Sequence, residues 1–167
     1  MSLTAEFDGK VTMYTTRKGF PGPSVQPVAF EAQFDGTAWQ VAPADFQPVV
    51  IPGIVAQGQT VTLTVTLEAM AQGTADAASG QASLQAQFRF EFSSRSLPVN
   101  LASSLPLKLS SAPNQASWPG GPTLSGQGVS AASGALCLAG VGAFVGGPLG
   151  NDRAAILLEG TFTPQPW

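Results

Sequence analysis

The sequence predicts an all-β protein, a single antiparallel domain of roughly nine or ten strands. Two stretches carry most of that reading, QTVTLTVTLEAM from Gln59 and QASLQAQFRFEF from Gln81. In the first, Val61, Leu63, Val65, Leu67 and Ala69 alternate with Thr60, Thr62, Thr64, Thr66 and Glu68. In the second, Ala82, Leu84, Ala86, Phe88, Phe90 and Phe92 alternate with Ser83, Gln85, Gln87, Arg89 and Glu91. Strict alternation sends successive side chains to opposite faces of a strand, so each arm has an apolar and a wet face. The third observation is the absence of any window of helical length with the helical period. The link AQGTADAASG is small, polar and Gly-bearing, which reads as the loop of one long hairpin from Gln59 to Ser94.

Taken in order, residues 2–16 alternate Leu3, Ala5, Phe7, Val11 and Met13 with Thr4, Glu6, Asp8, Lys10 and Thr12. Gly9 falls on the apolar parity, so the segment is either one kinked strand or a tight hairpin at Asp8-Gly9. RKGFPGPSVQP, with Pro21, Pro23 and Pro27, reads as loop. Residues 28–41 read as a second hairpin turning at Asp35-Gly36, which places Phe34 opposite Thr37, Ala32 opposite Trp39 and Phe30 opposite Val41. In PADFQPVVIPGIVAQG, Pro48 and Pro52 restrict the chain to an edge strand or loop, and Pro52-Gly53 fits a type II turn.

Beyond Arg95 charge nearly vanishes; Lys108 is alone between Ser96 and Asn151. Leu105, Leu107 and Leu109 predict a strand, and Ala112 to Gly128, carrying Trp118, reads as turn-rich loop. ALCLAGVGAFVGGPL is too short and too interrupted for a bilayer span of about 20 apolar residues, and reads as buried strands around glycine bends. AAILLEGTFTP is the last strand, with Ile156, Leu158, Gly160 and Phe162 on one parity. The expected architecture is a β-sandwich, because Pro-bearing edges suit one. The alternative is a closed antiparallel β-barrel, favoured by arms about twice the usual five or six residues. The ending GVGAFVGGPLGNDRAAILLEGTFTP resembles, in its glycine spacing, the closing strands of small antiparallel barrels of the allene oxide cyclase and dirigent type. No site residue is carried over from that resemblance.

Composition bounds the function. The 167 residues contain no His and one Cys, which rules out a Ser-His-Asp or Cys-His set, a His-rich or multi-Cys zinc site and an internal disulfide. Seven Lys and Arg against ten Asp and Glu, a net charge of -3, provide no basic field for nucleic acid. No cofactor, metal site or transmembrane segment is expected. Paired carboxylates remain the available catalytic device, but alternation puts Glu6, Asp8, Glu68 and Glu91 on wet faces, so no catalytic residue is assigned. The Thr60–Thr66 ladder suits an exposed strand. Asp35, Asp76 and Asp152 lack a calcium-loop spacing. Cys137, in ALCLAG, reads as a buried structural thiol.

Trp118 and Tyr14 are the candidate ligand-binding residues, Trp118 because it sits in a Pro/Gly loop without an alternating partner. The expected function is a non-catalytic, extracytoplasmic β-domain with a binding or structural role, any leader being absent from this sequence. Its partner would be a protein, a glycan or an apolar small molecule. The alternative is a β-barrel enclosing an apolar small molecule, as a carrier or a cyclase-like catalyst.

Overall fold

The computed structural model describes residues 2–16, 24–35, 38–56, 59–76, 81–94, 101–111, 123–125, 128–130 and 134–164. They form β1 (Ser2–Thr15), β2 (Ser24–Asp35), β3 (Ala38–Val41), β4 (Val49–Ala56), β5 (Gln59–Leu67) and β6 (Ala71–Asp76). After these come β7 (Gln81–Ser93), β8 (Leu101–Ser110), the short pair β9 (Thr123–Ser125) and β10 (Gly128–Ser130), then β11 (Gly134–Ala143) and β12 (Arg153–Pro164). Apart from a 3-10 turn at Pro43–Asp45, the described residues hold no helix.

The all-β antiparallel expectation holds, and of the two architectures the chain adopts the closed barrel rather than the sandwich. Eight strands complete the ring, in the order β7, β6, β3, β2, β1, β12, β11, β8 and back to β7. The topology is simpler than that order suggests. Ala38 and Val41 pair with Thr74 and Ala71, while Val49 and Ala56 pair with Val65 and Gln59. So β3 with β4, and β5 with β6, are two halves of interrupted long strands, and the ring is an up-and-down meander of chain neighbours. A sandwich would need two stacked sheets, each with two free edges. Here β7 is paired along both sides and β12 returns to β1, which removes the edges that a sandwich leaves open.

The Asp8-Gly9 hairpin does not form; β1 runs straight through. Gly9 pairs with Gly160 on β12, and the two backbones approach so closely that a Cβ on Gly9 would overlap the Glu159 carbonyl. A Cβ on Gly160 would come within 2.6 Å of Phe7 Cζ, whose ring covers that gap. Inward glycines let long strands coil tightly enough to close.

Other expectations shift by local amounts. The second hairpin pairs Asp35 with Ala38 and Phe34 with Trp39, so its centre falls one step later than Asp35-Gly36, and residues 36–37 lie outside the described residues. The one-step move preserves parity, and Phe30, Ala32, Phe34, Trp39 and Val41 are all buried as expected. Phe34 and Trp39 gain a stacked contact, 5.8 Å between ring centroids. AQGTADAASG is not all loop: Ala71–Asp76 is β6, paired with the first half of β7. The chain bulges at Glu68–Met70, where Ala69 is exposed, and the odd parity resumes at buried Ala71. RKGFPGPSVQP ends early, because β2 begins at Ser24. Pro52-Gly53 is a bulge inside β4, marked by a register shift between Ile51 and Ile54 and φ 76° at Gly53, not a chain reversal. The 112–128 stretch includes β9 and the first residue of β10. Within β11, Leu136 and Leu138 are buried but Val141 is 67% exposed, so the strand is buried on one face only.

One contiguous hydrophobic cluster fills the barrel. At one end Phe162 lies edge-on to Phe7, Phe34 and Trp39, at 5.2, 5.1 and 5.9 Å. At the other, the β11–β12 connection folds inward, with buried Phe144 edge-on to Phe90 at 4.9 Å and Leu149 1% exposed. Ser103 Oγ accepts a hydrogen bond from the Leu149 amide at 2.9 Å, and Ser104 and Val145 exchange backbone bonds. Gly147, at φ 65°, lies so close to the Ala102 carbonyl that no side chain fits.

Candidate ligand cavity

Between the two filled ends the barrel holds a cavity of about 50 Å³. Its wall is built from inward positions of strands all round the ring, among them Val11, Val28, Ile51, Ala86, Phe88 and Ile156. Most of the lining is aliphatic or aromatic because the strands that supply it keep strict alternation. Ser24 and Gln26 are the two polar residues in the lining, and no charged residue reaches it. Gln26 Nε2 donates to Ser24 Oγ at 3.4 Å, and both residues are half-buried.

Phe46, just after the 3-10 turn, separates this interior from the outside. It bridges to Phe30 in the backbone, stacks on the Phe30 ring at 6.1 Å and leans on Phe88 at 5.8 Å. Phe30 and Phe46 line both the cavity and an outer polar cleft of about 360 Å³ with Glu6, Glu31, Asp45 and Gln47. Glu6 and Glu31 stand directly opposite each other on β1 and β2. Like charges in that position oppose strand pairing.

Of the two ligand candidates from sequence, Tyr14 is 57% exposed on the outer face and does not line the cavity; its neighbour Met13 does. Tyr14 pairs with Ala155, which pairs with Val141, so the three form an exposed row across β1, β12 and β11. Trp118 lies outside the described residues, as does Trp167. Glu6, Asp8 and Glu68 are exposed as expected, and Glu91 is half-buried. Glu68 accepts hydrogen bonds from Gln87 Nε2 at 2.6 Å and Ser104 Oγ at 3.0 Å, and Glu91 meets Arg89 at 3.3 Å. These are surface contacts between strands. Among the described residues no group of three His, Cys, Asp or Glu could hold a metal, and no helix is long and apolar enough to cross a membrane.

Cys137 is half-buried rather than buried, because Leu136 and Leu138 take the inward parity of β11. Burial raises its thiol above the usual range, and Glu159, directly opposite on β12, raises it further.

Sequence reasoning missed Ser24, Gln26 and Phe46. Pro27 drew the first two into a loop, and since the inward parity turns polar at Gln26 and Ser24 while outward Val25 is apolar, no alternation marks them as inward. Phe46 falls in a Pro-flanked segment without periodicity, and its position depends on where β2 lies. No family model, no curated protein and no solved structure matches the chain.

Proposed function

We propose that this protein is a binding barrel for an apolar small molecule held in its interior. The observation that carries the reading is an uncharged, almost wholly apolar cavity at the centre of a closed ring, where a fully packed core would leave none. The carrier form of the reading is preferred because it needs only the apolar cavity, whereas a cyclase-like catalyst that guides its substrate without titrating groups also needs a shaped space larger than this one. Apolar cavities of this kind stay dry and favour an apolar guest over water; one of about 150 Å³ takes benzene. The present void is smaller, so a guest of several carbons requires a lining side chain to move, and Val11 and Phe46 are the half-buried apolar side chains of the lining.

Benzene and hexane titrations followed by two-dimensional NMR test the proposal. Saturable shifts at Ala86, Phe88 and Ile156 are expected. Ala86→Leu, which fills the void, is expected to abolish them while leaving the protein folded. Absent or non-saturable shifts in the wild type, or unchanged binding in the filled variant, would overturn it. A second reading, docking of a protein partner, draws on the exposed row of Tyr14, Ala155 and Val141. A partner captured by the wild type and lost in a Tyr14→Glu, Val141→Glu variant would favour that reading.

A further inference from the structure

Two seams of the ring are sparsely paired among the described residues: β8–β11, with the Ala139–Ser110 pair and the Ser104–Val145 bridge, and β2–β4, which unlike the first has cavity-lining residues on both strands. β2 pairs with β1 from Ser2–Asp35 through Met13–Ser24, but on its other side it meets β3 at Gln33, Phe34 and Asp35 and bridges to Phe46 at Phe30. From Val28 back to Ser24 no ladder to β4 exists among the described residues, although Val49 and Ile51 of β4 line the same cavity as Ser24, Gln26 and Val28.

The chemistry of β2 explains the gap. In an antiparallel strand, residues two apart aim their N–H and C=O groups at the same neighbour. The Ala29 carbonyl accepts from the Gln47 amide at 3.0 Å, so the β4 side is the side that Pro27 also faces. Proline has no N–H to give there. The ladder that would zip the seam therefore stops after Ala29.

The inward parity of β2 changes character at the same place. Phe34, Ala32, Phe30 and Val28 are buried and apolar, and the next two inward positions are Gln26 and Ser24, hydrogen-bonded to each other. Both barrel ends are filled, by the Phe162 cluster and by the Phe144–Leu149 connection. A guest thus has its way in at the seam, and its last atoms to enter lie beside an amide and a hydroxyl.

Resting on the reading of the barrel as an apolar binding site, we infer that the ligand is an uncharged amphiphile, a hydrocarbon body with one hydroxyl or carbonyl end, and that Gln26 and Ser24 at the β2–β4 seam bind that end and select against carboxylates. A neutral polar end can exchange hydrogen bonds with an amide and a hydroxyl. A carboxylate would be desolvated with no cation in the lining, which costs far more than a neutral group does.

The test compares 1-hexanol, hexanoate and hexane by NMR titration at neutral pH, in the wild type, Gln26→Leu, Ser24→Ala and Gln26→Lys. In the wild type hexanol is expected to bind at least about tenfold more tightly than hexanoate. Gln26→Leu and Ser24→Ala are each expected to weaken hexanol while leaving hexane unchanged. Gln26→Lys is expected to reverse the preference toward hexanoate, by supplying the missing cation. Equal binding of hexanol and hexanoate, or indifference of hexanol to both neutral variants, would overturn this inference while hexane binding kept the apolar site intact. Binding of none of the three guests would remove the site itself, and this inference with it.

Discussion

Phe162→Ala probes the packed end of the barrel. Phe162 is fully buried and lies edge-on to Phe7, Phe34 and Trp39. Removing the ring takes away about 100 Å³ of side chain, and at about 24 cal/mol per Å³ of unrelaxed cavity that costs about 2.4 kcal/mol. Lost transfer free energy adds about 2 kcal/mol. The neighbouring aromatics are locked by strand pairing on three sides, so little collapse is available, and a loss of about 4 kcal/mol is expected. Phe162→Leu, which keeps most of the volume, is expected to lose about 1–1.5 kcal/mol. Exposed Thr161→Ala is expected to stay within about 0.5 kcal/mol. Urea denaturation of the three variants, compared at constant m-value, measures all of them. A loss below about 1.5 kcal/mol for Phe162→Ala, or one equal to that of Thr161→Ala, would refute a close-packed barrel end.

Gly160→Ala is expected to lose about 2–3 kcal/mol, because its new carbon meets the Asp8 carbonyl and the Phe7 ring and forces β1 from β12; thermal unfolding measures it, and a neutral result would mean the strands are not pinched there. Ser103→Ala leaves the buried Leu149 amide without its acceptor, so a loss of about 1–3 kcal/mol and faster exchange of that amide are expected by hydrogen exchange. Cys137 is expected to react with a thiolate-specific reagent more slowly in the native than in the denatured protein at pH 8. The raised pKa keeps the folded thiol protonated where the unfolded one has begun to ionise. Glu159→Gln is expected to quicken the native reaction, and equal native and denatured rates would contradict the shift.

Much of the sheet is legible residue by residue. The inward sets of β5 and β7, Val61 to Leu67 and Ala82 to Phe92, are the buried sets, and Leu105, Leu107 and Leu109 are buried as their alternation predicts. Trp39 is in the core as the second hairpin requires, with its Nε1 donating to the Thr74 carbonyl at 3.1 Å. The candidate site was far less legible. Of its polar pair, Gln26 and Ser24 were hidden by the proline between them and Val28, since Pro27 reads as a strand terminator when its missing N–H cannot be placed. Tyr14, chosen for its chemistry, lies on the outer parity, one residue from a lining position at Met13.

Period-two alternation is a local property, and by itself it determined the strands, the wet and apolar face of each, and hence the composition of whatever interior they came to enclose. Charge balance and the absence of His set equally local bounds on chemistry. Closure was decided by tertiary structure alone. Whether β12 returns to β1, whether β7 keeps a partner on both sides, and whether Gly9 lands on Gly160 depend on pairings between residues far apart in the chain. The same inward residues could line a sandwich or a barrel, because burying an apolar face is satisfied by either. The cavity and its seam are still less local. They arise because Pro27 on β2 faces β4, a strand that the chain reaches only after another hairpin half, so no single segment contains the reason the seam stays unpaired there.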